Sequence, residues 1–101
     1  MSLPNIVLSS EAHADLLDIE AYIAQQDGEA RAEIVIGRLT QGVRSLAFMP
    51  GMGRTRPYLG GGIRAYAVTP WIVVYATLPS LDGILVIRVV DGRRDLPRAL
   101  R

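Results

Sequence analysis

The residues able to do chemistry in this chain are arginines and aromatics, and few others. Residues 84–90 read ILVIRVV, an apolar, largely β-branched run with Arg88 in its midst. A guanidinium is always charged and carries five N–H donors in a planar fork, so it suits carboxylates and phosphates. Residues 51–101 hold eight arginines (Arg54, Arg56, Arg64, Arg88, Arg93, Arg94, Arg98, Arg101) against three acids (Asp82, Asp91, Asp95), a net of +5. Residues 1–50 hold seven acids (Glu11, Asp15, Asp18, Glu20, Asp27, Glu29, Glu33) and three arginines (Arg31, Arg38, Arg44), a net of −4. A basic half points to an acidic partner, either nucleic acid or an acidic protein segment. The plainer alternative is that the two halves neutralise each other across the fold.

Other chemistries are poorly served. There is no cysteine, so disulfides, thiol nucleophiles and thiolate metal sites are excluded. The single histidine, His13, lies on a charged helix face and reads as solvated. Ser9 and Ser10 have no base nearby in sequence and suit helix capping. Asp15 and Asp18 are spaced i and i+3, too few ligands for a metal, and read as a solvated face. Gly60-Gly61-Gly62 precedes a strand and not a helix, so it lacks the dipole that phosphate loops use. No HExxH, CxxC, P-loop or GxGxxG unit is present, and no cofactor or metal is expected.

These residues need a scaffold, and the length of 101 residues allows one domain, spanning 1–101. No run of 18 apolar residues predicts a membrane span, and no secretory signal is visible, so the cytoplasm is the default expectation. Residues 3–8 (LPNIVL) predict a first strand. Ser9 or Ser10 then caps a helix over about 10–26, with Ala12, Leu16, Ile19 and Ile23 at helical spacing. Asp27-Gly28 ends it. A second helix over about 29–48 carries Ile36, Leu39, Val43 and Leu46, and the short link makes the pair an antiparallel hairpin. Residues 50–62 (PGMGRTRPYLGGG) read as a loop. Strands follow over 63–69, 71–78 and 84–91, joined by short links that favour antiparallel hairpins. The expected fold is α+β: a β-α-α-β-β-β two-layer sandwich, with a helical hairpin on a small, mostly antiparallel sheet.

Strict alternation places Ile84, Val86, Arg88 and Val90 on one face of the last strand and Leu85, Ile87 and Val89 on the other. The second set is expected to pack on the helices, leaving Arg88 on the uncovered face. If Arg64, Tyr66 and Tyr75 share that face, it mixes guanidinium, aromatic and aliphatic groups, as binding surfaces do. The alternative is that Arg88 makes a structural ion pair with Asp91, Asp95 or a helix acid.

Four stretches together cover nearly the whole chain: LSSEAHADLLDIEAYIA (8–24), LAFMPGMGRTRPYLGGGIRAYAV (46–68), IVVYATL (72–78) and ILVIRVVDGRRDL (84–96). In combination they resemble the RelE/ParE superfamily, the toxins of bacterial type II toxin–antitoxin modules that stabilise plasmids, and within it the ParE-like branch. The resemblance implies the same β-α-α-β-β-β fold and a ParD-like antitoxin whose C-terminal segment wraps across the toxin. In the RelE-like branch it implies a ribosome-dependent mRNA endonuclease, with Arg64 and Arg88 matching two of its basic positions. Such cleavage needs a general base, an acid and cations on the phosphate. Here position 91 is Asp where ParE-like chains often have His, and no His or Tyr follows. This departure argues against ribonuclease activity, and the resemblance to the ParE-like branch implies inhibition of DNA gyrase by binding, without a catalytic set. The alternatives are the mRNA endonuclease and a non-toxic antitoxin-binding module. Arg64, Tyr66, Trp71, Tyr75, Arg88, Arg93, Arg94 and Arg98 are the expected partner-binding residues.

Overall fold

A computed structural model describes residues 3–93; Arg94, Asp95 and Arg98 lie outside the described residues. Strand β1 (Asn5–Leu8) leads into helix α1 (Ser10–Asp27), and helix α2 (Glu29–Phe48) follows directly. Ser9 is the N-cap of α1: its Oγ accepts from the Ala12 N–H at 3.0 Å. Gly28 separates the helices at φ +92°, a left-handed conformation that favours glycine. The apolar stripes fall as the spacing predicts. Ala12, Ile19 and Ile23 of α1 and Leu39, Val43 and Leu46 of α2 are buried, while Leu16 and Ile36 pack partly buried beside them.

The segment expected as loop holds more structure than composition suggests. Two 3-10 turns, Pro50–Met52 and Pro57–Leu59, flank a two-residue strand β2 (Arg54–Thr55). Strands β3 (Ile63–Val68), β4 (Trp71–Leu78) and β5 (Gly83–Asp91) follow. The five-stranded sheet has the order β1-β5-β4-β3-β2. The pairs β2–β3, β3–β4 and β4–β5 are antiparallel, and β1 joins the far edge parallel to β5. The architecture is thus the α+β two-layer sandwich expected, with one parallel pair made possible by the intervening hairpin of helices.

The core lies between the helical hairpin and one face of β4 and β5. Tyr75, Val73, Ile84 and Val86 are 0 % exposed there, and Val89 is 3 %. Burying each such side chain stabilises by roughly 1.5–3 kcal/mol. Ile84, Val86 and Val89 cannot share a face under strict alternation, because 86 and 89 are three residues apart. The ladder explains it. Tyr75 pairs with Val86 and Val74 with Arg88, so Ile87 has no partner on β4 and the register shifts there. This β-bulge reverses the parity of everything beyond it. The expectation that Ile84 and Val86 turn away from the helices while Val89 turns toward them is corrected for the first two. The reason is one extra residue in the strand.

Candidate functional site

Strand β1 pairs with β5 only as far as Leu8 opposite Val86, and beyond that point α1 serves backbone groups of β5. Ser9, at the start of the helix, donates its hydroxyl to the Ile87 carbonyl at 2.6 Å. Asp15 Oδ2 accepts the Val89 N–H at 2.8 Å. The same carboxylate receives Arg88 in a fork, Nε to Oδ2 at 2.8 Å and Nη2 to Oδ1 at 3.0 Å. The two side chains are 26 % and 15 % exposed. The hydrogen bond from Asp15 raises the Arg88 pKa further above its ordinary value; partial burial opposes this more weakly. Arg88 therefore ties the sheet to the first helix, and Asp15 is no solvated face residue. The expectation of a guanidinium free on the uncovered side is corrected: the ion pair to a helix acid is what forms. It also joins the acidic half of the chain to the basic half.

Around this pair opens a groove of about 450 Å³ between α1 and the paired ends of β4 and β5. Asp15, Asp18 and Tyr22 line it from the helix; Trp71, Arg88, Asp91 and Arg93 line it from the sheet. Tyr22 is 61 % exposed. Arg93 is held at the rim by a second fork to Asp91, at 2.9 and 2.7 Å, which raises its pKa. Aromatic and forked ionic groups in one concavity make a surface that can take a side chain or short segment of another protein.

A second cluster organises the opposite edge. The Tyr75 hydroxyl donates to the Pro50 carbonyl at 2.6 Å and accepts the Gly53 N–H at 2.8 Å. Arg64 Nη1 donates to the Gly53 carbonyl at 2.8 Å. Two sheet side chains thus clasp residues 50–53 and set the course of β2. A Cβ on Gly53 would overlap the Tyr75 hydroxyl, so the close approach requires glycine there. Burial raises the Tyr75 pKa; the Gly53 hydrogen bond and the Arg64 charge oppose it. Beside the clasp, Met52, Arg54, Arg56, Ala65, Tyr66, Ala67 and Ile72 line a further concavity.

The predicted binding set is therefore dispersed. Trp71, Arg88 and Arg93 meet at the α1 groove. Arg64 is a strut, and Tyr66 lines the β2 corner while packing against the core. Tyr75 is 0 % exposed and offers no surface, a correction that follows from its pairing with Val86 on the helix-facing side. Arg94 and Arg98 lie outside the described residues. Asp15, Tyr22 and the turn at residues 50–53 were not singled out by the sequence as site residues. Among the described residues no cluster of three metal-ligating side chains exists, and no helix is long and apolar enough to cross a membrane.

The family model for the ParE toxin of the type II toxin–antitoxin system parDE matches residues 6–96. The chain belongs to this ParE toxin family. It is 25 % identical over 95 residues to Toxin ParE3 of Caulobacter vibrioides, covering 94 % of this chain and 93 % of that protein. Its fold resembles a chain of the chromosomal ParDE toxin–antitoxin system from P. aeruginosa, with a TM-score of 0.72. That likeness spans 88 % of this chain and 96 % of the other at 19 % identity. The ParE match runs from β1 through β5, so it takes in both the Asp15–Arg88 tie and the Tyr75 clasp.

Proposed function

We propose that this ParE-family chain inhibits DNA gyrase by binding it and is neutralised by a ParD-like antitoxin, acting in the cytoplasm as one half of a plasmid-stabilising module. The observation that carries the reading is the commitment of its two candidate catalytic cations. Arg88 is forked onto Asp15 and Arg64 is bound to the Gly53 carbonyl. A cation that steadies a scissile phosphate must present donors to it, and here the Nε and Nη2 donors of Arg88 face a carboxylate. The proton-transfer partners are equally ill placed. His13 is exposed on α1, Tyr75 is sealed with both hydroxyl roles taken, and Asp91 is forked with Arg93. This supports action by binding over cleavage of message. The test is a supercoiling assay with purified gyrase and increasing amounts of the protein. Inhibition that is relieved by the antitoxin from the neighbouring reading frame is expected. Unaffected supercoiling, with cleavage of ribosome-bound message that Arg88→Ala abolishes, would establish the endonuclease instead; harmless overexpression would leave only an antitoxin-binding module.

A further inference from the structure

We propose that the groove between α1 and the paired ends of β4 and β5 binds an arginine side chain presented by a partner protein, stacked between Tyr22 and Trp71 and forked onto Asp18. The lining carries three carboxylates, Asp15, Asp18 and Asp91, against two guanidiniums, Arg88 and Arg93, a net of −1. Asp15 is engaged by Arg88 and Asp91 by Arg93. The surplus charge therefore resides on Asp18, which is exposed and makes no ion pair among the described residues.

The neighbours of Asp18 decide which cation suits it. Tyr22 lies one turn further along α1, at i+4, so it shares the Asp18 face, and it is 61 % exposed. Trp71 opens β4 opposite Asp91 and lines the other wall. Ile19 and Val89, both buried, add apolar lining between the walls. A guanidinium is planar, stacks on aromatic faces and takes a carboxylate through two parallel N–H bonds, while its methylene stem lies along apolar groups. An ammonium is compact, strongly hydrated and has no fork. The groove already holds its own two arginines by forks to aspartate, and Asp18 offers the same chemistry to a third. An anion is poorly served, because the Nε and Nη2 donors of both arginines face carboxylates. The Asp15–Arg88 tie also fixes the two walls relative to each other, which lowers the ordering cost of binding.

The test reads Trp71, the one tryptophan of the chain, whose emission reports the groove directly. The probe is acetyl-Gly-Ala-Arg-Ala-Gly-amide, titrated to about 10 mM in about 0.15 M salt. A saturable change in emission is expected. The citrulline peptide, neutral and of the same shape, is expected to bind at least about fivefold more weakly. Asp18→Asn is expected to weaken the arginine peptide about fivefold, and Tyr22→Leu about threefold. Glu33→Gln, exposed on α2 and outside the groove, is expected to bind as the parent does. So is Arg94→Ala/Arg98→Ala/Arg101→Ala. The absence of a saturable change overturns the proposal, as does a citrulline peptide that binds equally well. Both comparisons use the parent chain, so they hold even if a variant unfolds. Parent-like binding by both Asp18→Asn and Tyr22→Leu also overturns it. A glutamate peptide that gives the same saturable change would make the groove an anion site. Binding tightened at least about tenfold by the triple arginine substitution would make the chain's own tail the occupant; either result sinks the proposal. Neither gyrase nor antitoxin takes part in the titration. Its failure leaves the function proposed above standing, and failure of the supercoiling assay leaves the groove.

Discussion

Replacing Asp15 tests the tie between α1 and the bulged strand most sharply. Its carboxylate accepts three hydrogen bonds, two from Arg88 and one from the Val89 N–H. In Asp15→Ala, the Arg88 guanidinium, already 26 % exposed, recovers water, so the pair itself contributes only about 1 kcal/mol. The Val89 N–H fares worse. Val89 is 3 % exposed, so an orphaned donor adds about 1–3 kcal/mol. The total is about 3 kcal/mol, on the order of 15 °C in melting temperature for a domain of this size. Asp15→Asn retains an oxygen for Val89 and is expected to cost about 1 kcal/mol. Arg88→Ala leaves the Asp15 carboxylate, 15 % exposed, with the Val89 N–H and water, and is also expected to cost about 1 kcal/mol, with a coupling of similar size in the double mutant. Urea unfolding followed by circular dichroism measures all four corners of the cycle. Asp15→Ala within about 0.5 kcal/mol of the parent, or Asp15→Asn as damaging as alanine, would refute the reasoning.

Three further outcomes are expected. Tyr75→Phe should cost about 1–3 kcal/mol at neutral pH, because the Gly53 N–H and the Pro50 carbonyl both lose their partner; urea unfolding checks it. The same residue should shape alkaline stability. Its folded pKa is raised, so the unfolded chain releases this proton first; the contribution is whole below about pH 10 and is lost as pH rises through the folded value. Unfolding compared at about pH 7 and about pH 11 should show a fall in the parent larger than that in Tyr75→Phe. Gly53→Ala should destabilise by about 1–3 kcal/mol through overlap with the Tyr75 ring and hydroxyl, whereas Arg93→Ala, on the open rim, should leave the melting temperature unchanged.

The helices were legible because their apolar spacing is regular and their ends carry a serine cap and an Asp-Gly stop. The three long strands were legible from β-branched runs between Pro and Gly signals. Two features were not. Strand β2 is only Arg54–Thr55, and it exists because Tyr75 and Arg64 hold the residues before it, side chains more than ten positions away. The bulge at Ile87 is invisible to a period-two count, since the residues around it other than Arg88 are apolar and fit either face. That single insertion moved Ile84 and Val86 into the core. Arg88 was legible as an oddity in an apolar strand, and a helix acid was among its candidate partners. That the partner is Asp15 depends on how α1 crosses β5, which no local pattern encodes. The motif at residues 50–53 was visible as letters, but its physical reason, a tyrosine hydroxyl where a Cβ on Gly53 would stand, appears only in three dimensions.

The proposed function has this ParE-family chain stop replication by binding, without cutting message. Pulse labelling of DNA and of protein in the first minutes after induction separates the two most directly. Thymidine incorporation is expected to fall first while methionine incorporation continues. Protein synthesis collapsing first, with DNA synthesis declining only afterwards, would contradict it.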